Sequence, residues 1–117
     1  MNLDEAIAAH VKWKLRLTRF IEGKTAEKLS STTIAKDNLC DLGKWIHGEG
    51  AKLKAVPHYR DLVKKHANFH LCAAEVVKKA ESGDKAAAKS ALGGSFASAS
   101  KETIEAVMKL KKEVAKL

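Results

Sequence analysis

The chain has 117 residues, 22 Lys and Arg against 14 Asp and Glu, a net charge of +8 and 5% aromatic residues. That length suits one domain with its own core, read as spanning 1–117, and no stretch approaches the roughly 20 consecutive apolar residues of a membrane span. A single proline, few β-branched runs and abundant Ala, Leu, Lys and Glu exclude a sheet protein and indicate an all-α fold.

The start, MNLDEAIAAH, is acidic rather than a basic leader followed by an apolar core, so a cytoplasmic location is expected. With no export signal, Cys40 and Cys72 are expected as free thiols. The first helix is predicted over about Leu3–Glu22, capped by Asn2, stopped by Gly23, with Leu3, Ile7, Val11, Leu15 and Leu17 as its apolar positions. Ser30–Thr33 offers caps for a second helix carrying Leu39, Cys40, Leu42, Trp45 and Ile46, ending near Gly48 and Gly50. Pro57 opens a third helix through Tyr59, Leu62, His66, Phe69, His70, Ala73 and Val77 to about Glu81. From Asp84 to Leu117 the pattern is helical but interrupted at Gly93-Gly94, which reads either as one helix with a close glycine contact or as a short helix followed by a long one. Short connections between long amphipathic helices predict an antiparallel four-helix bundle.

The lysines are spread over every segment. The densest run, Lys109, Lys111, Lys112 and Lys116, alternates with Leu110, Val114 and Leu117, which is the solvated face of an amphipathic helix; nucleic acid is not expected as a partner.

The chemistry lies in the histidines. In HANFH, His66 and His70 stand at i and i+4, so one helix points both imidazoles the same way at chelating distance. His10 in HVKW and Cys40 in CDLGKW complete three imidazoles and one thiol, a tetrahedral zinc set drawn from three helices. Calcium and magnesium call for clustered carboxylates and carbonyls, which the sequence does not show; copper and nickel accept the same donors. His47 lies seven residues after Cys40 and is the rival ligand, although its place beside Gly48 suits a helix C-cap. Leu39 and Leu42 flank Cys40 and are expected to bury its sulfur, and Gly43 is expected to mark close approach of another helix or of Trp13. His58 is expected to be exposed, and Cys72 to be a small buried residue facing away from the His66/His70 side. A zinc protease would carry a Glu beside the paired histidines, where this chain has Ala67, Asn68 and Phe69, so no catalysis is expected. A hemerythrin-like di-iron site would need more histidines and bridging carboxylates.

Taken together, His10-x-x-Trp13, Cys40-x-Leu42-Gly43-x-Trp45 and His66-x-x-x-His70, separated by 26 and 20 residues, resemble the chemoreceptor zinc-binding domain over about Leu3–Lys116. The resemblance implies zinc ligation by His10, Cys40, His66 and His70, a four-helix bundle that often dimerises, and attachment to bacterial chemoreceptors or diguanylate cyclases. In such proteins the domain regulates output in response to zinc or to hypochlorous acid acting on the zinc-bound cysteine. Neither a signalling hairpin nor a cyclase domain accompanies these motifs, so a stand-alone or excised regulatory domain is expected, acting as a homodimer on an unknown output partner. A zinc ion that only staples the bundle is the alternative. Phe20, Ile21 and Phe96 suit a dimer face as well as a core.

Overall fold

A computed structural model describes residues 2–117, and every regular element among them is helical. Helix α1 spans Leu3–Ile21. The Asn2 side-chain oxygen accepts from the backbone N–H of Asp4 and Glu5 at 2.9 and 3.2 Å, and Gly23, at φ +68°, ends the helix in the left-handed region that favours glycine. Helices α2 (Ser31–Ile34) and α3 (Asp41–His47) follow, then a 3-10 turn at Glu49–Leu53. Helix α4 runs Pro57–Glu81 with proline in its first turn, where the missing N–H costs nothing. Helix α5 (Lys85–Gly93) and helix α6 (Ser95–Val114) meet at Gly94. The Gly93-Gly94 alternative thus resolves as a short helix followed by a long one.

Side-chain pairings give the directions. Thr103 Oγ1 donates to Lys65 O and His58 pairs with Glu113, so α6 runs antiparallel to α4; Lys111 pairs with Asp4 while Lys14 lines one cavity with Ala97 and Lys101, so α6 also opposes α1. Helices α1 and α4 are therefore parallel, and the α2–α3 segment runs back between them. Ile34 joins the core cluster with Ile21 and Val77, and Leu42 and Ile46 join the one with Ala6 and Leu62. This is the antiparallel four-helix bundle, with its second leg broken into two short helices rather than formed as one. The fold measures 48 × 22 × 19 Å.

The buried stripe of α1 is Ala6, His10, Trp13, Leu17 and Ile21; of the expected apolar positions Leu17 is in it, Leu3 and Ile7 pack half-buried against the core, and only Val11 and Leu15 face outward. Val11 lies one residue past His10, or roughly 100° round the helix, with Leu15 one turn further on the same outward side, and a histidine on the inward side disguises which side is inner. Val11 and Leu15 are 55% and 53% exposed. Ile21 and Phe96 are buried in the core and Phe20 is half-buried against it, so none of the three forms an outer face. Two apolar clusters fill the bundle, one around Leu17, Phe69, Val76 and Phe96, the other around Leu42, Ile46, Leu62 and Leu110. His10 and His66 fall between them in sequence on α1 and α4.

Candidate metal centre

At mid-bundle His10, Cys40, His66 and His70 each present one donor atom, and the four atoms lie within 4.8 Å of one another. Cys40 Sγ is 3.2 Å from His66 Nε2 and 3.5 Å from His70 Nε2, and the two Nε2 atoms are 3.0 Å apart. Zinc–nitrogen bonds of about 2.0–2.1 Å and a zinc–sulfur bond of about 2.3 Å imply tetrahedral edges of roughly 3.3–3.6 Å, close to these separations. The four residues are thus positioned to bind one metal ion, and the imidazole and thiol donors suit zinc.

Each imidazole is set by its helix and its second nitrogen. His10 Nδ1–H donates to Ala6 O, one turn back on α1, at 2.7 Å; its Nε2 is buried with no hydrogen-bond partner and is left to offer a lone pair. His70 Nδ1–H donates to Ile34 O at the end of α2, at 2.9 Å, which fixes Nε2 as its free donor atom. Such outer hydrogen bonds fix tautomer and ring angle, the usual support of a ligating histidine. His66 is fully buried, and its Nδ1 has no partner. Phe69 packs edge-on against both His10 and His70, with centroids 5.0 and 5.4 Å apart, and walls the site on its apolar side.

Cys40 does not lie inside a helix as the sequence suggested. It is the N-cap of α3, in extended conformation, and its sulfur accepts the Gly43 N–H at 3.3 Å. Nor is the sulfur buried by leucines on both sides: Leu42 is buried, but Leu39 is 47% exposed because the chain before Cys40 is a turn, not a helical face. Gly43 does mark a close approach, though of neither a helix nor Trp13. A Cβ there would lie 1.7 Å from the carbonyl oxygen of Asp37, so the Asp37–Cys40 turn folds directly onto α3.

His47 turns away from the centre, with its Nε2 3.2 Å from Asp37 Oδ2 and its side chain 46% exposed. His58 is partly exposed and stands 3.0 Å from a Glu113 carboxylate oxygen. Cys72 lies off the ligand face but is only half-buried, packed at the core edge with its Sγ 3.9 Å from Asn68 Oδ1. Sequence reasoning missed the Ala6 and Ile34 carbonyls. The first was legible, since a helical side chain commonly reaches the carbonyl four residues back; the second depends on where α2 packs.

Burial dominates the electrostatics. It lowers the pKa of His10 and His70, and it lowers that of His66 to about 3, with the neighbouring histidines adding to the shift. The same burial raises the Cys40 thiol, opposed by backbone N–H groups at the start of α3. The site thus holds neutral imidazoles, ready to ligate, and a thiol that favours its proton until a cation compensates the thiolate.

No helix among the described residues is long and apolar enough to cross a membrane. In comparisons with known proteins, the chain is 28% identical over 78 residues to the diguanylate cyclase DgcZ of Escherichia coli (strain K12). The match covers 66% of this chain and 26% of that protein, so the chain spans about a quarter of that relative's length. No solved structure matches. The sequence pattern of the chemoreceptor zinc-binding domain matches residues 10–77, from the first candidate ligand to beyond the last. With that match over more than half of its length, the chain belongs to the chemoreceptor zinc-binding domain family.

Proposed function

We propose that the chain binds one Zn2+ through His10, Cys40, His66 and His70 and serves as a regulatory domain of bacterial signalling, responding to zinc level or to oxidants such as hypochlorous acid at Cys40. The observation that carries this reading is the convergence of four donors from three separate parts of the fold, one of them a half-buried sulfur at a helix start. Bound zinc would supply the positive charge that holds Cys40 as a thiolate and keeps all four donors together. The three histidines and Cys40 then tie α1 and α4 to the start of α3. A Cys40 that had given up two electrons to an oxidant would be a poorer ligand, and the segment it anchors would then be free to repack. Four protein donors fill a tetrahedral sphere, which suits regulation rather than catalysis.

The likeness to part of a diguanylate cyclase supports an output of that general kind, supplied by another domain or protein. We propose that the domain acts as a homodimer, through the exposed apolar positions of α1 and α6. A second reading, zinc as a permanent staple, draws on the burial of all three imidazoles, which would slow exchange.

Elemental analysis should find one zinc per chain, released in proportion as Cys40 is oxidised, and Cys40→Ala should weaken zinc binding by about a hundredfold or more. Zinc that stays bound while Cys40 is oxidised would leave the staple reading, and metal-free protein refolded with zinc that takes up none would remove the assignment.

A further inference from the structure

Cys40 is only half-buried. Between α1 and the Lys28–Cys40 segment lies a cavity of about 390 Å3, bounded by Trp13, Arg16, Glu27, Lys28, Lys36 and Cys40 among others. Arg16 stands at its edge in a fixed pose. Its guanidinium carbon lies 3.7 Å above the centre of the Trp13 ring, and its Nε and Nη2 both bond the Glu27 carboxylate. Planar stacking and two-point pairing together hold the side chain far better than an exposed ion pair alone would. Around this opening three cations face one carboxylate, and that carboxylate is already taken up by Arg16.

We propose that this cavity is the route by which small anionic thiol-reactive molecules reach the metal-bound sulfur, and that Lys28 and Lys36, left uncompensated because Arg16 neutralises Glu27, set its preference for anions. The inference rests on the zinc centre proposed above. Its physical content is that a wall with excess positive charge, beside a metal centre that is itself cationic with one thiolate and three neutral imidazoles, concentrates anions at the sulfur over neutral reagents of equal size. A second cavity touches Cys40 from the Glu5, Ala9 and His10 side and is also bounded by Arg16. The lysines Lys28 and Lys36 belong to the first cavity alone, which is why the charge preference is assigned there.

The probe pair is iodoacetate and iodoacetamide, nearly equal in size and differing in charge. In both reactions the Cys40 sulfur's electron pair attacks the methylene carbon, a C–S bond forms, the C–I bond breaks and iodide departs with its pair. The thioether that results is a poor zinc ligand, so zinc release reports the step. The zinc-loaded chain carrying Cys72→Ala removes the second thiol. The measured quantity is the ratio of the two release rates at low salt. Arg16→Gln, which leaves Glu27 unpaired, should lower the iodoacetate preference about two- to threefold, and Lys36→Gln should lower it similarly. Glu27→Gln should raise it by a like factor, with all three effects fading near 1 M salt. Variants that speed or slow both reagents together, with an unchanged ratio, would show a steric role only and overturn the proposal. A protein that keeps its one zinc while Cys40 is alkylated would instead leave zinc as a staple held by the three histidines, and would overturn the inference by removing the release step on which it rests.

Discussion

Each of the four candidate ligands is prepared in its own way. His10 and His70 give their Nδ1–H to carbonyls of Ala6 and Ile34, so each has one nitrogen left over. Burial keeps these imidazoles neutral, whereas the Cys40 thiol keeps its proton. Zinc binding at pH 7 should therefore release about one proton per ion, from Cys40 alone, a stoichiometry measurable by calorimetry in buffers of different ionisation enthalpy. The histidines also set the acid sensitivity of the metal-free fold. Their folded pKa values lie below the unfolded value of about 6.5, so the unfolded chain binds more protons in that window. Stability of the metal-free protein should be full above about pH 6.5 and should decline as pH falls toward the His66 value of about 3, as urea titrations across that range would show. At this scale the sequence was most legible in His66 and His70, because a spacing of four on a helix leaves only one relative orientation. It was least legible on α1, where an inward histidine broke the apolar stripe and drew attention to Val11 and Leu15 instead.

Among the elements, the long helices announce themselves and the short ones do not. Asn2, Gly23 and Pro57 each do at a helix end what their chemistry dictates, and α1 and α4 begin and end within a residue or so of the reading. The segment from Ser30 to Leu53 carries a helical pattern yet breaks at Lys36–Cys40, since its course is decided by packing on α4 rather than by propensity. The price of that break is visible at Gly43, which must lack a side chain for the Asp37 carbonyl to lie against it. Gly43→Ala should cost about 2 kcal/mol or more of folding stability and should weaken zinc binding as well, because relief of the clash moves the Asp37–Cys40 turn. Thermal unfolding with and without zinc, beside a zinc competition titration, separates the two effects; a variant with wild-type affinity would show that the turn does not place the sulfur.

For the molecule as a whole, the bundle leaves outward apolar side chains that its core does not use. Val11 and Leu15 on α1, with Met108 on α6, are 55%, 53% and 48% exposed. If the proposed homodimer forms there, Val11→Lys with Leu15→Lys should convert it to monomer in sedimentation experiments while zinc content stays at one per chain; a dimer that persists would place the contact elsewhere. The architecture itself was legible from helix lengths and connection lengths, since four legs joined by short turns have few ways to close. Its interior has one further property. Helix α3 is held at both ends: its start leans on the Cys40 sulfur, which takes the Gly43 N–H, and the Ile46 carbonyl near its finish takes the Tyr59 hydroxyl of α4 at 2.6 Å. It is a strap buckled at two points, one a plain hydrogen bond and the other an atom that reagents can alter. On the regulatory reading proposed above, a change at that single sulfur would unfasten one buckle while the other, with Leu42 and Ile46 in the core, keeps the strap on the bundle, turning a covalent event into a movement of the helix start about its anchored end.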